Sequence, residues 1–323
     1  MNIKVGFIGF GNFAKLRYSI LLKNTNVDLI GYYDPLANDS AQLKKFSELD
    51  ALLSLVDAVI ISVPPKFAPE YVRLSLISGL HVFCEKPAAR NADELLLISN
   101  IVNKSNSVLA YGFNHRQHQS VQKIKNTIDS EILGKILWMR GRYGKEVDTN
   151  YRSSWRCDKD LNGGGILIDQ GIHMVDLINY LSGGLTDGQA VLSDRFLNIN
   201  GVEDNAFINL YSQDSGISAS IHSTITQWRY LFSLEIFLEN GDIILNGLRT
   251  NSGNYGDEIL AISNRSNNQK NEYAFSTNES WEIEMTEFVR AINEVDEYKF
   301  SNYSDAIEIT KLIDKIYLNS IWT

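Results

Sequence analysis

Over the first 113 positions, short apolar runs alternate with segments whose apolar residues recur every three to four places. The runs, residues 3–8, 27–33, 58–63, 80–84 and 108–113, have the length and continuity of parallel strands buried on both faces. Between them, Phe13, Leu16, Ile20 and Leu21, then residues 52–55, 71–77 and 94–102, repeat as helices do. Strand and helix in alternation predict a doubly wound parallel sheet. Beyond Arg116 the pattern changes. Val121, Ile124 and Ile128 predict one amphipathic helix, residues 136–143 one strand, and residues 164–181 a long helix. Period-two segments follow at 189–197, 206–211, 217–223, 232–238 and 243–245, with Asn240-Gly241 as a hairpin turn, and they predict an antiparallel sheet. Helices at 280–295 and 304–316 close the chain.

The first run leads into Gly9-Phe10-Gly11-Asn12-Phe13-Ala14, which fits G-x-G-x-x-A at a strand-to-helix turn. Gly9 permits the tight turn, Gly11 lets the backbone approach a pyrophosphate, and Ala14 allows close packing of helix on strand. The N–H groups of Asn12 and Phe13 open a helix whose free donors suit an anion. Asp34 ends the second run, where a carboxylate accepts hydrogen bonds from ribose hydroxyls and repels a 2′-phosphate. Pro35 follows it, not an arginine, so NAD is expected over NADP. The alternative for Asp34 is a turn residue before proline. Pro64 and Pro65 end a third run, either lining the cofactor cleft or simply stopping the strand. Glu85-Lys86-Pro87 places a cation where another strand should end, and ligands of open α/β sheets collect outside those carboxyl ends. That position points to chemistry on a nicotinamide.

Composition narrows the picture without deciding it. At 323 residues and 44% hydrophobic, the chain can build two domains with a core each. A net charge of −9 and the lack of a basic run argue against nucleic acid as a partner. The most apolar segment elsewhere, 51–63, is interrupted by Asp57 and too short to span a membrane. Glycines break the N-terminal apolar stretch, which reads as the fingerprint and not as a signal peptide. Cys84 and Cys157 form no metal-like spacing, so free thiols in a reducing, cytoplasmic setting are expected.

The long helix carries the second piece of chemistry. Gly163-Gly164-Gly165 precedes a segment that is apolar nearly all round except at Asp169, His173 and Asp176, spaced i, i+4 and i+7 on one face. Buried carboxylates need partners. Either this stripe forms an internal network or it faces a wet active-site cleft. A metal site at Asp169 and His173 lacks an obvious third ligand, so none is expected. Trp155, Arg152 and Arg156 in the preceding loop could form a sugar-stacking and anion-binding wall, or be solvated loop residues. Asn114 and Arg116 could line the nicotinamide or substrate side, while a surface ion pair is the alternative for the arginine.

Four motifs in this order, Gly9 to Ala14, Glu85-Lys86-Pro87, Gly112-Phe113-Asn114-His115-Arg116, and the glycine triplet with D-x-G-x-H-x-x-D ending at Asp176, resemble the Gfo/Idh/MocA oxidoreductases. The resemblance covers nearly the whole chain. It implies an N-terminal Rossmann domain, residues 1–116, and a C-terminal α+β domain, residues 117–323, for substrate binding and oligomerisation. The second domain's large open sheet would join copies as a homodimer or homotetramer, and the C-terminal helix is free to pack back on the first domain. Lys86, Asp169 and His173 match the family's catalytic trio, with Lys86-Pro87 a candidate cis bond. Cofactor contacts are expected from Gly9, Gly11, Asn12, Phe13, Ala14, Asp34, Pro64, Glu85, Lys86 and Asn114, and substrate contacts from Arg116, Trp155 and Arg156. The implied activity is NAD-dependent hydride transfer at a CH–OH group of a sugar, cyclitol or sugar nucleotide. An NAD-dependent glycosidase and a non-catalytic NAD(P)-binding regulator are the alternatives on the same fold. The regulator need not keep the trio.

Overall fold

The computed structural model describes residues 2–38, 42–148, 150–250 and 255–323. They divide into two compact units, Met1–Asn114 with Trp281–Thr310, and His115–Ser280 with Lys311–Thr323. The expected boundary at 116/117 thus lies two residues later than the observed one, and a distant segment returns to the first unit. Its apolar face explains the return. Trp281, Met285, Phe288 and Val289, on the helix Ser280–Glu294, join the same core as Val5, Phe7, Ile60 and Phe83.

The first unit is built on six strands: β1 (Ile3–Ile8), β2 (Val27–Tyr33), β3 (Lys45–Phe46), β4 (Ala58–Ile61), β5 (His81–Glu85) and β6 (Leu109–Gly112). They pair in parallel in the order β3-β2-β1-β4-β5-β6. The order reverses at β1, so the turns after β1 and β4 open at the switch point where such sheets take their ligands. β3 has only two residues, too short for any periodicity to register. The expected helix over 94–102 is broken into Ala92–Leu96 and Ser99–Val102.

The second unit carries nine strands: β7 (Ile136–Gly144), β8 (Asp187–Ser193), β9 (Asn205–Tyr211), β10 (Ser218–Thr224), β11 (Leu231–Leu238), β12 (Gly241–Asn246), β13 (Glu258–Asn264), β14 (Gln269–Phe275) and β15 (Ile321–Trp322). Their order is β14-β13-β12-β11-β7-β10-β9-β8-β15, antiparallel except for the β7/β10 and β8/β15 pairs. β9 shows the logic of the sheet: Ala206, Ile208 and Leu210 are buried while Phe207, Asn209 and Tyr211 face outward. On the covered face the helix Ile172–Ser182 comes so close that a Cβ on Gly141 of β7 would lie 2.6 Å from the Met174 sulfur. β13 and β14 were not among the expected segments; β14 is a largely exposed polar edge strand whose side chains carry little alternation.

Candidate functional site

In the first unit, the turn after β1 is shaped for a dinucleotide. Gly9 adopts φ +79°, and a Cβ there would lie 2.3 Å from the Ser62 carbonyl oxygen after β4. Gly11 caps the helix Asn12–Leu21, has open space where its Cβ would be, and supplies no side-chain cap. With no acidic residue in its first turn, that helix end presents backbone donors to an anion. Asn12 is exposed and Ala14 buried, while Phe13 stacks on Trp281 at 5.7 Å. Asp34 accepts from the N–H of Phe10 at 2.9 Å with one oxygen and from Leu36 and Ala37 at 2.9 and 3.0 Å with the other. It therefore ties the glycine turn to the loop after β2, which is the turn role weighed for it, and it stands at the end of β2. These features fit a dinucleotide.

The other expected contacts of this unit divide. Pro64 opens a tight turn whose carbonyl accepts from Phe67 at 2.9 Å, ahead of the helix Ala68–Ile77. Lys86 follows β5, and its bond to Pro87 is cis. Asn114 is buried in a short 3₁₀ turn. Glu85, expected at the cofactor, points into the protein: it accepts from Arg17 at 2.9 Å, and Arg17 also binds Glu284 at 2.5 Å. Arg17 is fully buried between Phe83 and Trp281, 4.4 and 4.3 Å from their centroids. Glu85 thus belongs to a buried ion network that fastens the returning helix.

In the second unit the polar stripe is real, but its helix is not regular. Residues Leu167–Gly171 form a π turn that runs into the α-helix Ile172–Ser182. Such wide turns are often found at functional sites. The glycine triplet permits this start for three separate reasons. Gly163 sits at φ +90°, a Cβ on Gly164 would lie 2.1 Å from the Tyr317 hydroxyl, and one on Gly165 would lie 2.1 Å from the Glu203 carbonyl oxygen. Glu203 then accepts from the N–H of Gly165 at 2.9 Å and of Leu167 at 2.8 Å, and from Tyr317 at 2.8 Å. Burial pushes this carboxyl up to about 7 despite those donors.

The three stripe residues part company. Asp176 is sealed in a forked pair with Arg116, at 2.6 to 3.1 Å, and the Arg116 guanidinium also covers Tyr180. Arg116 is thereby an ion-pair residue, buried and not the surface pair that was weighed against a place on the nicotinamide or substrate side. Asp169 instead gathers Lys145 at 3.1 Å, Arg156 at 3.1 Å and the Tyr151 hydroxyl at 3.3 Å. Burial and the charge of Asp169 raise the Tyr151 hydroxyl well above its usual range, so it stays a proton donor. The Trp155 ring packs against the Arg156 guanidinium, which lies 4.4 Å from the ring centroid. Arg156 and Trp155 are therefore together, at Asp169. Arg152 is exposed.

His173 stacks on His115 at 3.8 Å with the rings 16° apart. The His115 Nε2 shares a hydrogen bond of 2.9 Å with the Tyr143 hydroxyl, and the Tyr143 ring lies 5.1 Å from that of Tyr255. Tyr230 continues the file, 4.9 Å from Tyr255 and partly exposed. Burial keeps the Tyr143 and Tyr255 hydroxyls protonated. Beside Tyr255, the amide of Gln170 is buried, with no hydrogen bond at either Nε2 or Oε1 among the described residues. Leaving such a group dry and unmet costs about 1–3 kcal/mol. Lys145, Tyr151, His115, Tyr143, Tyr255 and Gln170 were not singled out from sequence. Lys145 directly follows β7, which runs one residue beyond the expected 136–143. Among the described residues, no group of three or more His, Cys, Asp or Glu is placed to hold a metal, and no helix is long and apolar enough to cross a membrane.

Residues 3–113 match the family profile described as the oxidoreductase family, NAD-binding Rossmann fold, and residues 121–244 match the GFO/IDH/MocA C-terminal domain. Among curated proteins, D-glucoside 3-dehydrogenase of Escherichia coli (strain K12) is 30% identical over 193 residues, 56% of this chain and 54% of that protein. Glucose-6-phosphate 3-dehydrogenase of Bacillus subtilis (strain 168) is 25% identical over 258 residues, 70% of this chain and 74% of that protein. The match thus spans about half the length of the first relative. A solved levoglucosan dehydrogenase in complex with NADH superposes with a TM-score of 0.85 over 99% of this chain and 98% of its own, at 21% identity, which establishes a shared fold.

Proposed function

Because the chain belongs to the Gfo/Idh/MocA oxidoreductases, we propose that it is an NAD-dependent dehydrogenase that interconverts a secondary alcohol and a ketone on a sugar, cyclitol or sugar nucleotide. The observation that carries this reading is Asp169 with its two cations, one helical turn from a histidine held face to face by a second imidazole. Relatives named as 3-dehydrogenases of a glucoside and of glucose 6-phosphate support the substrate class. NAD, when bound, supplies the hydride acceptor. Gly9, Gly11 and the bare helix end at Asn12 would hold its phosphates, and Asp34 its adenosine ribose, with NADP disfavoured by that carboxylate.

The chain's own side chains have the remaining work. His173 accepts the hydroxyl proton, and its stack on His115 limits how the ring can turn. Asp169 supports charge and orientation at that helical turn, while Lys145 and Arg156 keep its carboxylate anchored. Lys86 stabilises a developing alkoxide by a charge-assisted hydrogen bond, or exchanges roles with His173 as the proton carrier. Outward-facing Trp138, Val191 and Phe207 form the surface on which a second copy docks, giving a dimer or tetramer through the open sheet. Both cysteines are unpaired, in keeping with a cytoplasmic setting.

Screening free sugars, methyl glycosides, inositols and UDP-sugars for NADH absorbance tests the activity. Net accumulation of NADH with one class supports a dehydrogenase. Cleavage of a glycoside without NADH accumulating would indicate the glycosidase instead, and NAD binding with neither reaction would indicate a regulator.

A further inference from the structure

Gln170 occupies the π turn, next to Asp169 and three residues before His173. The residue is 5% exposed, and among the described residues neither end of its amide makes a hydrogen bond, although the Tyr255 hydroxyl lies beside it without closing one of good geometry. An amide carries two donors and an acceptor on one rigid plane, so its best complement offers both functions at once. A phosphate would leave Oε1 unmet, and an ammonium would leave Nε2 unmet. Two neighbouring hydroxyls satisfy both. The tyrosine file supports the same chemistry, because Tyr143, Tyr255 and the partly exposed Tyr230 present rings with hydroxyls from the buried turn toward solvent. We propose that Gln170 is the specificity-determining residue of this unit, and that it selects substrates bearing a hydroxyl adjacent to the carbinol being oxidised. The inference rests on the dehydrogenase reading given above and adds the vicinal diol to it.

The test compares methyl α-D-glucopyranoside with its 2-deoxy, 3-deoxy and 4-deoxy counterparts, on the full chain with NAD. For the unaltered enzyme, removing the hydroxyl beside the reacting carbon should lower kcat/KM by about 10- to 100-fold, because the amide is then left unmet again. Gln170→Met, similar in length and without hydrogen-bonding atoms, should lose about the same factor on the parent glycoside, mostly in KM, and treat parent and deoxy analogue alike to within about threefold. Gln170→Glu, which keeps an acceptor and loses the donors, provides a second variant should the methionine disturb folding, and it should show the same loss. Titration calorimetry of the glycosides into the NADH-loaded protein should give the same ranking without turnover. Undiminished discrimination in both variants overturns the assignment. So does a stabilised Gln170→Met with unaltered kinetics, which would show that the amide holds an internal water. If the unaltered enzyme neither oxidises nor binds any of these glycosides, the glycoside reading itself fails, a result distinct from failure of Gln170 alone.

Discussion

Two ion networks in this protein join carboxylates to cations with opposite stoichiometry. In the first unit, one arginine serves two carboxylates, Glu85 and Glu284, and is sealed from solvent between Phe83 and Trp281. In the second, one carboxylate, Asp169, serves two cations, Lys145 and Arg156, whose side chains remain 17% and 26% exposed. The first network is closed on all sides and its role is structural, since it fastens the helix Ser280–Glu294 to the end of β5. In the second, solvent reaches the cations, and the carboxylate sits one turn from an imidazole. Burial of the cation, more than the presence of a charged cluster, separates a network that holds the fold from one that can do chemistry.

The contrast is sharpest in the proposed catalytic residues. His173→Ala and Lys86→Ala should each lower kcat by roughly 10²- to 10⁴-fold with little change in unfolding midpoint, as steady-state NADH production and urea titration would measure. Turnover at the level of the unaltered enzyme in both would remove them from the mechanism. Arg17→Met should do the reverse. Stranding two buried carboxylates costs about 3–5 kcal/mol in a urea titration, while kcat per folded molecule holds. Adding Glu284→Gln should recover part of the loss, and a cost under about 1 kcal/mol for Arg17→Met would show that the network is not structural.

Glu203 extends the comparison to pH. Its folded value of about 7 lies above the unperturbed 4.5, so the folded chain binds the proton more tightly than the unfolded one. Its contribution is therefore fully favourable below about pH 4.5 and declines as pH rises to about 7, by about 3 kcal/mol in all. Glu203→Gln should flatten that part of the stability profile; an unchanged slope would assign the dependence to other groups. The smallest effect is expected at Asp34. Asp34→Ser should raise the ratio of NADP to NAD kcat/KM by about tenfold, about 1.4 kcal/mol, and should loosen the turn held through Phe10. An unaltered ratio would show that this carboxylate is a turn residue only.

Much of the first unit was legible in advance. Five of its six strands, and the glycine turn, follow from continuous apolar runs and from steric demands at single residues. The sixth strand has two residues and no pattern to read. In the second unit the alternation of β8 through β12 was visible, but the edge strand β14 was hidden by its polar, exposed side chains. The i, i+4, i+7 stripe was correctly placed on one buried segment. What each member does was not, because the partners come from elsewhere in the chain: Asp169 meets Lys145 24 residues away, and Asp176 meets Arg116 60 residues away. The π turn was also invisible, since nothing in the order of side chains announces a change from i+4 to i+5 bonding.

The amino-acid sequence by itself determined the local terms: where strands and helices start, and which four motifs place the chain in its family. Those depend on neighbours a few residues apart, so the pattern along the chain carries them. Tertiary structure alone decided which charges are structural and which remain available, turning Glu85 and Arg116 inward and leaving Asp169 among partly exposed cations. Desolvation and hydrogen-bond geometry set that division, and both are properties of side chains brought together across long stretches of sequence.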